Sequence, residues 1–456
     1  MQLAWDMLWV EESFIHWPRY LNEMHGSANM IGTMKSRGLY VSRRLCEIHF
    51  FGNNSVKAFT FLLAILASSF LTADEPQTLP LGIVKEKPKS GRFVRVPLGY
   101  MVPYKAKIPG SDVEFEMVPI PPGEFLLGSP PTESGRSHFE GPQIKVMVKP
   151  FWMGKHEVQW KHYELYLELN DKFKRFEQAR IRMVTDENEI DAVTAPSSLY
   201  EPDLVYGQGA KPNQPAVAMT QFAARQFTKW LSLTSGEFYR LPTGAEWEYA
   251  CRAGTTTAYH FGNDPVKLEQ YGWFAENSGD KRHVVGSKKP NPWGLYDMHG
   301  NVSEWVIDTN AKTGYAVWKG KKMNAEECAR WPTTHDDQIV RGGSFLLEAT
   351  ECRSASLLMS AVDDWKDYDP EYPNSPWWFT TEPATGVGIR LFRPLHVPSD
   401  RAEKEKFWKE DIPQSLEDAL SYINSNGRGA QGIANKELPA AIKKLKKKRN
   451  GSRYSP

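Results

Sequence analysis

Hydrophobic positions are spread unevenly along the chain, and changes in their spacing mark its zones. Residues 58–71 form an apolar run (AFTFLLAILASSFL), preceded by Lys57 and followed by Thr72, Ala73 and Asp74. A basic start, a short apolar core and a small residue before a polar turn predict a secretory signal peptide over residues 56–73. The run falls short of the roughly 20 residues a bilayer span needs, so no integral span is expected. A membrane anchor through 58–71 is the alternative. Residues 1–55 show neither helical nor strand period and read as a doubtful leader, which a mis-called start would explain. Residues 74–111 hold Pro and Lys clusters and read as a linker or lead-in strands. Residues 112–396 form the dense globular region. Residues 397–456 are charged and read as a helical or disordered tail, with Leu416, Ala419, Leu420 and Ile423 on one helical face.

Inside the globular region two helices are predicted. Thr220 is an N-cap residue type. Ala223, Phe227, Trp230 and Leu231 then recur at helical spacing, and Gly236 closes the segment as a C′ glycine. Thr243 and Glu246 have the S/T-x-x-E spacing of a capping box, which starts the second helix. Elsewhere Gly, Pro, Asn and Asp punctuate short β-prone runs, predicting many short strands and long loops. Residues 170–212 and 311–336 are polar and irregular and read as insertions. No internal repeat is found.

Composition narrows the class. The chain has 456 residues, 41% hydrophobic, with 34 Gly, 32 Pro and 16 Trp, which describes a loop-rich globular protein. A net charge of +1 argues against an overall field for nucleic acid, and the basic end (KKLKKKRNGSRYSP) reads as solvated. The four cysteines, Cys46, Cys251, Cys328 and Cys352, are too few for a disulfide scaffold. None are spaced as CxxC, so zinc-ribbon and thioredoxin chemistry lack support. No P-loop, GxGxxG or nucleophile elbow is present.

Five ordered blocks carry a more specific signal. Met117–Phe125 (MVPIPPGEF) with Gly128-Ser129 opens the series, and Tyr239–Ala250 (YRLPTGAEWEYA) follows. Then come Gly294–Trp305 (GLYDMHGNVSEW), Arg341–Phe345 (RGGSF) with Cys352–Ala355 (CRSA), and Gly388–Leu391 (GIRL). From about Glu116 to Pro394 the chain resembles the formylglycine-generating sulfatase-modifying-factor family. The resemblance implies a C-type-lectin-like α+β fold with short antiparallel sheets, two main helices and much irregular loop.

It also implies chemistry. Oxidase members of the family convert a sulfatase cysteine to formylglycine with oxygen and a copper(I) ion held by two thiolates, a soft ligand pair suited to that ion. Their cysteines stand three and eight residues after the serine of the GGS block. Counting from Ser344, those positions hold Leu347 and Cys352. The second cysteine is kept and the first is leucine, which cannot ligate. Ser344 would line the pocket as its counterpart does, or simply end a strand. Cys251 reads as a buried packing thiol, and Cys328 is a rival partner for Cys352 in an oxidising compartment. Calcium is the other implied ion. Gly300, Asn301 and Val302 would supply carbonyls and Glu304 a carboxylate, the hard oxygens calcium prefers. A second loop would use Asn277, although its acidic partner falls near Gly286.

Other residues are less specific. His156, His162, His260, His283 and His299 lack the spacing of the iron-binding sulfoxide-synthase relatives. Asp363, Asp364, Asp367, Asp369 and Glu371, interleaved with Trp365, Tyr368 and Tyr372 ahead of Trp377-Trp378, would offer carboxylates and aromatic faces to a sugar or peptide. Two readings follow. One is a secreted or periplasmic non-oxidase member binding a peptide, glycan or protein partner. The other is a copper-dependent oxidase acting on a sulfatase.

Overall fold

The computed structural model describes residues 79–199, 202–334, 336–366, 375–409, 412–425 and 429–451. The leader and signal-peptide expectations for residues 1–73 lie outside them.

Both expected helices form, with the caps the sequence specifies. Thr220 accepts from the Ala223 amide ahead of helix Gln221–Ser235, and Gly236 ends it at φ 83°. Thr243 and Glu246 close a reciprocal capping box on helix Gly244–Arg252. Arg240 binds both oxygens of that Glu246 at 2.8 Å. The RLPT segment is thereby locked to the helix it leads into. Both helices are buried nearly all round, as expected of helices at the centre of a domain.

Short sheets surround them. Strands Tyr104–Lys107, Glu114–Ile120, Phe151–Gly154 and Phe392–Pro394 make an antiparallel sheet that ties the first motif to the last. In the second sheet, Ser303–Thr309 pairs antiparallel with Gln338–Arg341, which pairs with Leu357–Met359. The third joins Gly123–Leu127 to Ile144–Val148. The α+β expectation holds, with two additions: Ser303–Thr309 also pairs parallel with Val387–Gly388, and Ile144–Val148 pairs parallel with Lys322–Asn324.

The supposed insertions contain regular structure. In 170–212, helix Leu169–Gln178 buries Phe173 and Phe176. Strand Ala192–Ala195 pairs antiparallel with Ala430–Ile433, from the far end of the chain. The C-terminal segment is anchored as well. Trp408 is buried and donates its indole N–H to the Tyr239 carbonyl at 2.8 Å. Gln226 donates to the Trp408 carbonyl at 3.0 Å. No helix among the described residues is long and apolar enough to cross a membrane.

Candidate functional site

The motif blocks converge on one end of the second sheet. Glu304 stands opposite Arg341 on one side and Gly388 on the other. Past Arg341 the chain turns through Gly342 and Gly343, with φ of 99° and 72°, values L side chains avoid. Gly343 has a second constraint, since a Cβ there would come within 2.4 Å of the Cys352 sulfur. The thiol therefore packs directly beneath the GGS turn.

Cys352 is fully buried. Burial pushes its thiol pKa up, offset in part by the Ser344 amide, so the thiolate that ligates metal is disfavoured near neutral pH. The Ser344 hydroxyl is also buried and accepts from the Leu346 amide at 3.2 Å. Leu347 serves through its backbone. Its amide donates to the Ser344 carbonyl at 3.1 Å, and its carbonyl accepts from Ala275 at 2.9 Å. Asn277, nearby, caps its own helical turn, accepting from the Phe274 amide at 2.9 Å and donating to the Gly272 carbonyl at 3.1 Å.

Cys251, Cys328 and Cys352 are all free and buried, so the Cys328–Cys352 pairing does not occur. The fold separates them. Cys328 packs in a core cluster with Ala325 and Tyr315, whereas Cys352 packs with Tyr259, Leu268 and Phe274. The neighbour Cys352 does have is an imidazole pair. His299 Nδ1 lies 2.8 Å from the Cys352 carbonyl, and His299 Nε2 lies 3.0 Å from His260 Nδ1. The Cys251 sulfur is 3.6 Å from His299 Nε2. Burial lowers the His299 pKa to about 4 and that of His260 to about 2, and raises Cys251 to about 12. All three groups are neutral at physiological pH. Among the described residues no cluster of three or more His, Cys, Asp or Glu is arranged to hold a metal ion.

The GNVSEW loop is held by charge. Arg390 donates from Nε to both Glu304 oxygens at 2.9 Å and from a terminal nitrogen to Oε1 at 2.6 Å. The Trp247 indole donates to Oε2 at 2.6 Å. Val302 is fully buried. Gly300 takes φ 131°, and a Cβ there would strike the Trp273 carbonyl at 2.2 Å. Asn301 sits at φ 63°, and its side chain accepts from the His283 amide and donates to Glu157 Oε1, each at 3.0 Å.

Glu157 leads to the feature that reading the blocks singly missed. Its Oε2 and the Oδ1 of Asp297 are buried without a hydrogen-bond partner. The two carboxyls lie within reach of each other, and burial and mutual repulsion raise the Glu157 pKa well above the carboxylate range. Burial raises Asp297 too, against the amide of Gly286, which donates to Oδ2 at 2.7 Å. A proton shared between the two would satisfy both orphan oxygens. Asp297 was visible as the D of GLYDMHGN. Its partner lies 140 residues earlier, outside the five blocks.

The expected aromatic-acidic surface is corrected at its tryptophans only. Trp365, Trp377 and Trp378 are buried core residues and present no open face. Residues 367–374 and the Asp363 side chain lie outside the description.

Comparison with known proteins places the chain in a family. The model of the sulfatase-modifying factor enzyme 1-like domain matches residues 107–367, and the chain belongs to that family. It is 27% identical to the formylglycine-generating enzyme of Thermomonospora curvata over 265 residues, covering 52% of this chain and 84% of that one. It is 29% identical to the inactive Cα-formylglycine-generating enzyme 2 of Mus musculus over 248 residues, covering 48% and 75%. Among solved structures, PvdO from Pseudomonas aeruginosa aligns with a TM-score of 0.45 at 25% identity, over 64% of this chain and all of that one.

Proposed function

We propose that this chain is a secreted, non-oxidase member of the family that binds a peptide, glycan or partner protein. The observation that carries the reading is Leu347 at the position of the first family cysteine. Copper(I) does not fit the residues present. Leucine cannot ligate, and the remaining family cysteine, Cys352, is fully buried beneath a glycine turn with a raised pKa. The mouse relative, named as an inactive enzyme, makes loss of the oxidase within the family a reasonable precedent.

A second reading keeps the oxidase acting on a sulfatase cysteine, and the free Cys352 thiol beside Ser344 favours it. One experiment separates the two. Purified full-length chain is incubated with Cu(I), oxygen and a peptide carrying a sulfatase-type cysteine motif, and the product is examined by mass spectrometry for the aldehyde. The binding reading expects none; turnover with loaded metal would overturn it.

Calcium fits the loop less as the residues were first read than through the acid pair. Glu304 is occupied by Arg390 and Trp247, and the Asn277 side chain by its own turn. Glu157 and Asp297 offer unpartnered buried oxygens, the hard donors this ion takes. Bound there, calcium would replace the shared proton and neutralise the pair. Isothermal titration with calcium at pH 7.5 tests this, with the Asp297→Asn variant expected to lose the heat.

A further inference from the structure

The two-stranded sheet formed by Ala192–Ala195 and Ala430–Ile433 has two outer edges, and they are finished differently. On the first strand, Thr194 is outward-facing, and side chains occupy its backbone. Its amide donates to Gln226 Oε1 at 3.1 Å, and its carbonyl accepts from the Tyr166 hydroxyl. On the second strand the edge pairs with no other strand among the described residues. It borders a cavity of about 410 Å³, within the size range of ligand sites.

Register decides which groups face outward. The Ala434 amide donates to the Asp191 carbonyl at 2.9 Å, and Gly432 stands opposite Val193. In an antiparallel ladder hydrogen-bonded pairs alternate with non-bonded ones. Gly432 and Ala430 therefore bond to the partner strand, while Gln431 and Ile433 turn N–H and C=O to the open edge. Arg182 takes the Ile433 carbonyl at 3.0 Å. Gln431, a residue of the cavity wall, is left as the open ladder position among the described residues. Proteins usually blunt such edges with charge, proline or a covering element, and here it opens on a cavity instead.

The remaining walls define what would fit. Phe173, Phe176, Met183 and Ile423 supply apolar surface, and Lys174 and Arg182 outnumber the single lining carboxylate, Glu177. Lys174 makes no ion pair among the described residues, whereas Arg182 is turned toward Asn435 and Glu437.

From the open ladder position, the apolar walls and the unpaired lysine we infer that this cavity binds an extended peptide by strand addition alongside Ala430–Ile433. Main-chain bonds form to Gln431, apolar side chains pack against Met183 and Ile423, and a peptide carboxylate meets Lys174. This is the strand-addition mode, in which backbone bonds give affinity and alternate side chains give specificity. The site lies apart from the Ser344 turn and does not rest on the function proposed above.

The test uses full-length chain and a fluorescein-labelled hexapeptide of alternating valine and glutamate, read by fluorescence anisotropy. The expected result is saturable binding with Kd on the order of 10–100 µM, weakened by salt and absent for the valine–lysine counterpart. Gln431→Pro removes an outward N–H without touching the ladder and should weaken binding about fivefold or more. Lys174→Glu, on the helix surface, should weaken it about tenfold. Both variants should keep the parent melting temperature. No binding up to about 1 mM, equal binding of both peptides, or an affinity indifferent to both substitutions would overturn the inference. Displacement of the peptide by dodecanoate with no effect of Gln431→Pro would also overturn it, assigning the cavity to a lipid.

Discussion

Arg390 and Glu304 meet across the parallel pairing of two motif blocks, with both carboxylate oxygens engaged and neither side chain exposed to solvent. The Trp247 indole completes the arrangement from the AEWEYA helix, so three of the family's blocks meet at one carboxylate. Removing one member of a buried pair leaves the other charge without compensation, which costs about 3–5 kcal/mol. Arg390→Met should therefore lower the urea midpoint strongly. A double variant, Arg390→Met with Glu304→Leu, should recover part of that loss. If the single variant unfolds like the parent protein, the pair is not what holds the GNVSEW loop.

The free state of Cys352 makes Leu347→Cys an informative substitution. With no disulfide to compete, a second thiol three residues after Ser344 should restore a pair for copper(I). Competition against a chromophoric Cu(I) chelator should then show an affinity gain of at least about tenfold over the parent, because two soft ligands replace one. An unchanged affinity would mean that Cys352 is too deeply set beneath Gly343 to reach a metal.

The C-terminal segment should behave as part of the domain. Trp408 is buried against Phe238, with ring centroids 5.1 Å apart, and its indole is hydrogen-bonded to Tyr239. Trp408→Ala should cost about 3–5 kcal/mol, read as a shift in the denaturant midpoint at constant slope. A loss below about 1 kcal/mol would show that the segment is docked only weakly.

Local signals were legible in the sequence and distant pairings were not. Thr220, Gly236, Thr243 and Glu246 set their helix ends through bonds within a few residues, so the sequence alone placed both caps. Helix Leu169–Gln178 is polar on most positions, and Phe173 and Phe176 are driven inward along with Leu169 and Asn170 at its start. What they pack against includes Gly432, more than 250 residues away, where a Cβ would come within 2.3 Å of Phe173. The cysteines follow the same rule. Cys328 and Cys352 are close in sequence yet belong to different core clusters, and spacing says nothing of that. At the GNVSEW loop the sequence found Glu304 as a carboxylate but could not show that Arg390 already holds it.

The acid pair and the imidazole pair should pull the stability curve in opposite directions. Glu157 and Asp297 have raised pKa values in the folded chain, against about 4 when unfolded. Above that pH the native state holds more protons than the unfolded one, so their contribution falls as pH rises through the folded values. His299 and His260 have lowered values, against about 6.5 unfolded. Their contribution is fully present above that pH and is lost as pH falls toward about 4. Glu157→Gln keeps an acceptor for Asn301 and gives Asp297 a permanent donor, so it should remove the alkaline decline and leave the acid one. Melting temperatures of parent and variant from pH 5 to 8 should diverge steadily, with the variant ahead at the alkaline end. Calcium should narrow that gap at pH 8 by raising the parent alone. A difference that stays constant with pH would show that the two carboxyls do not share a proton.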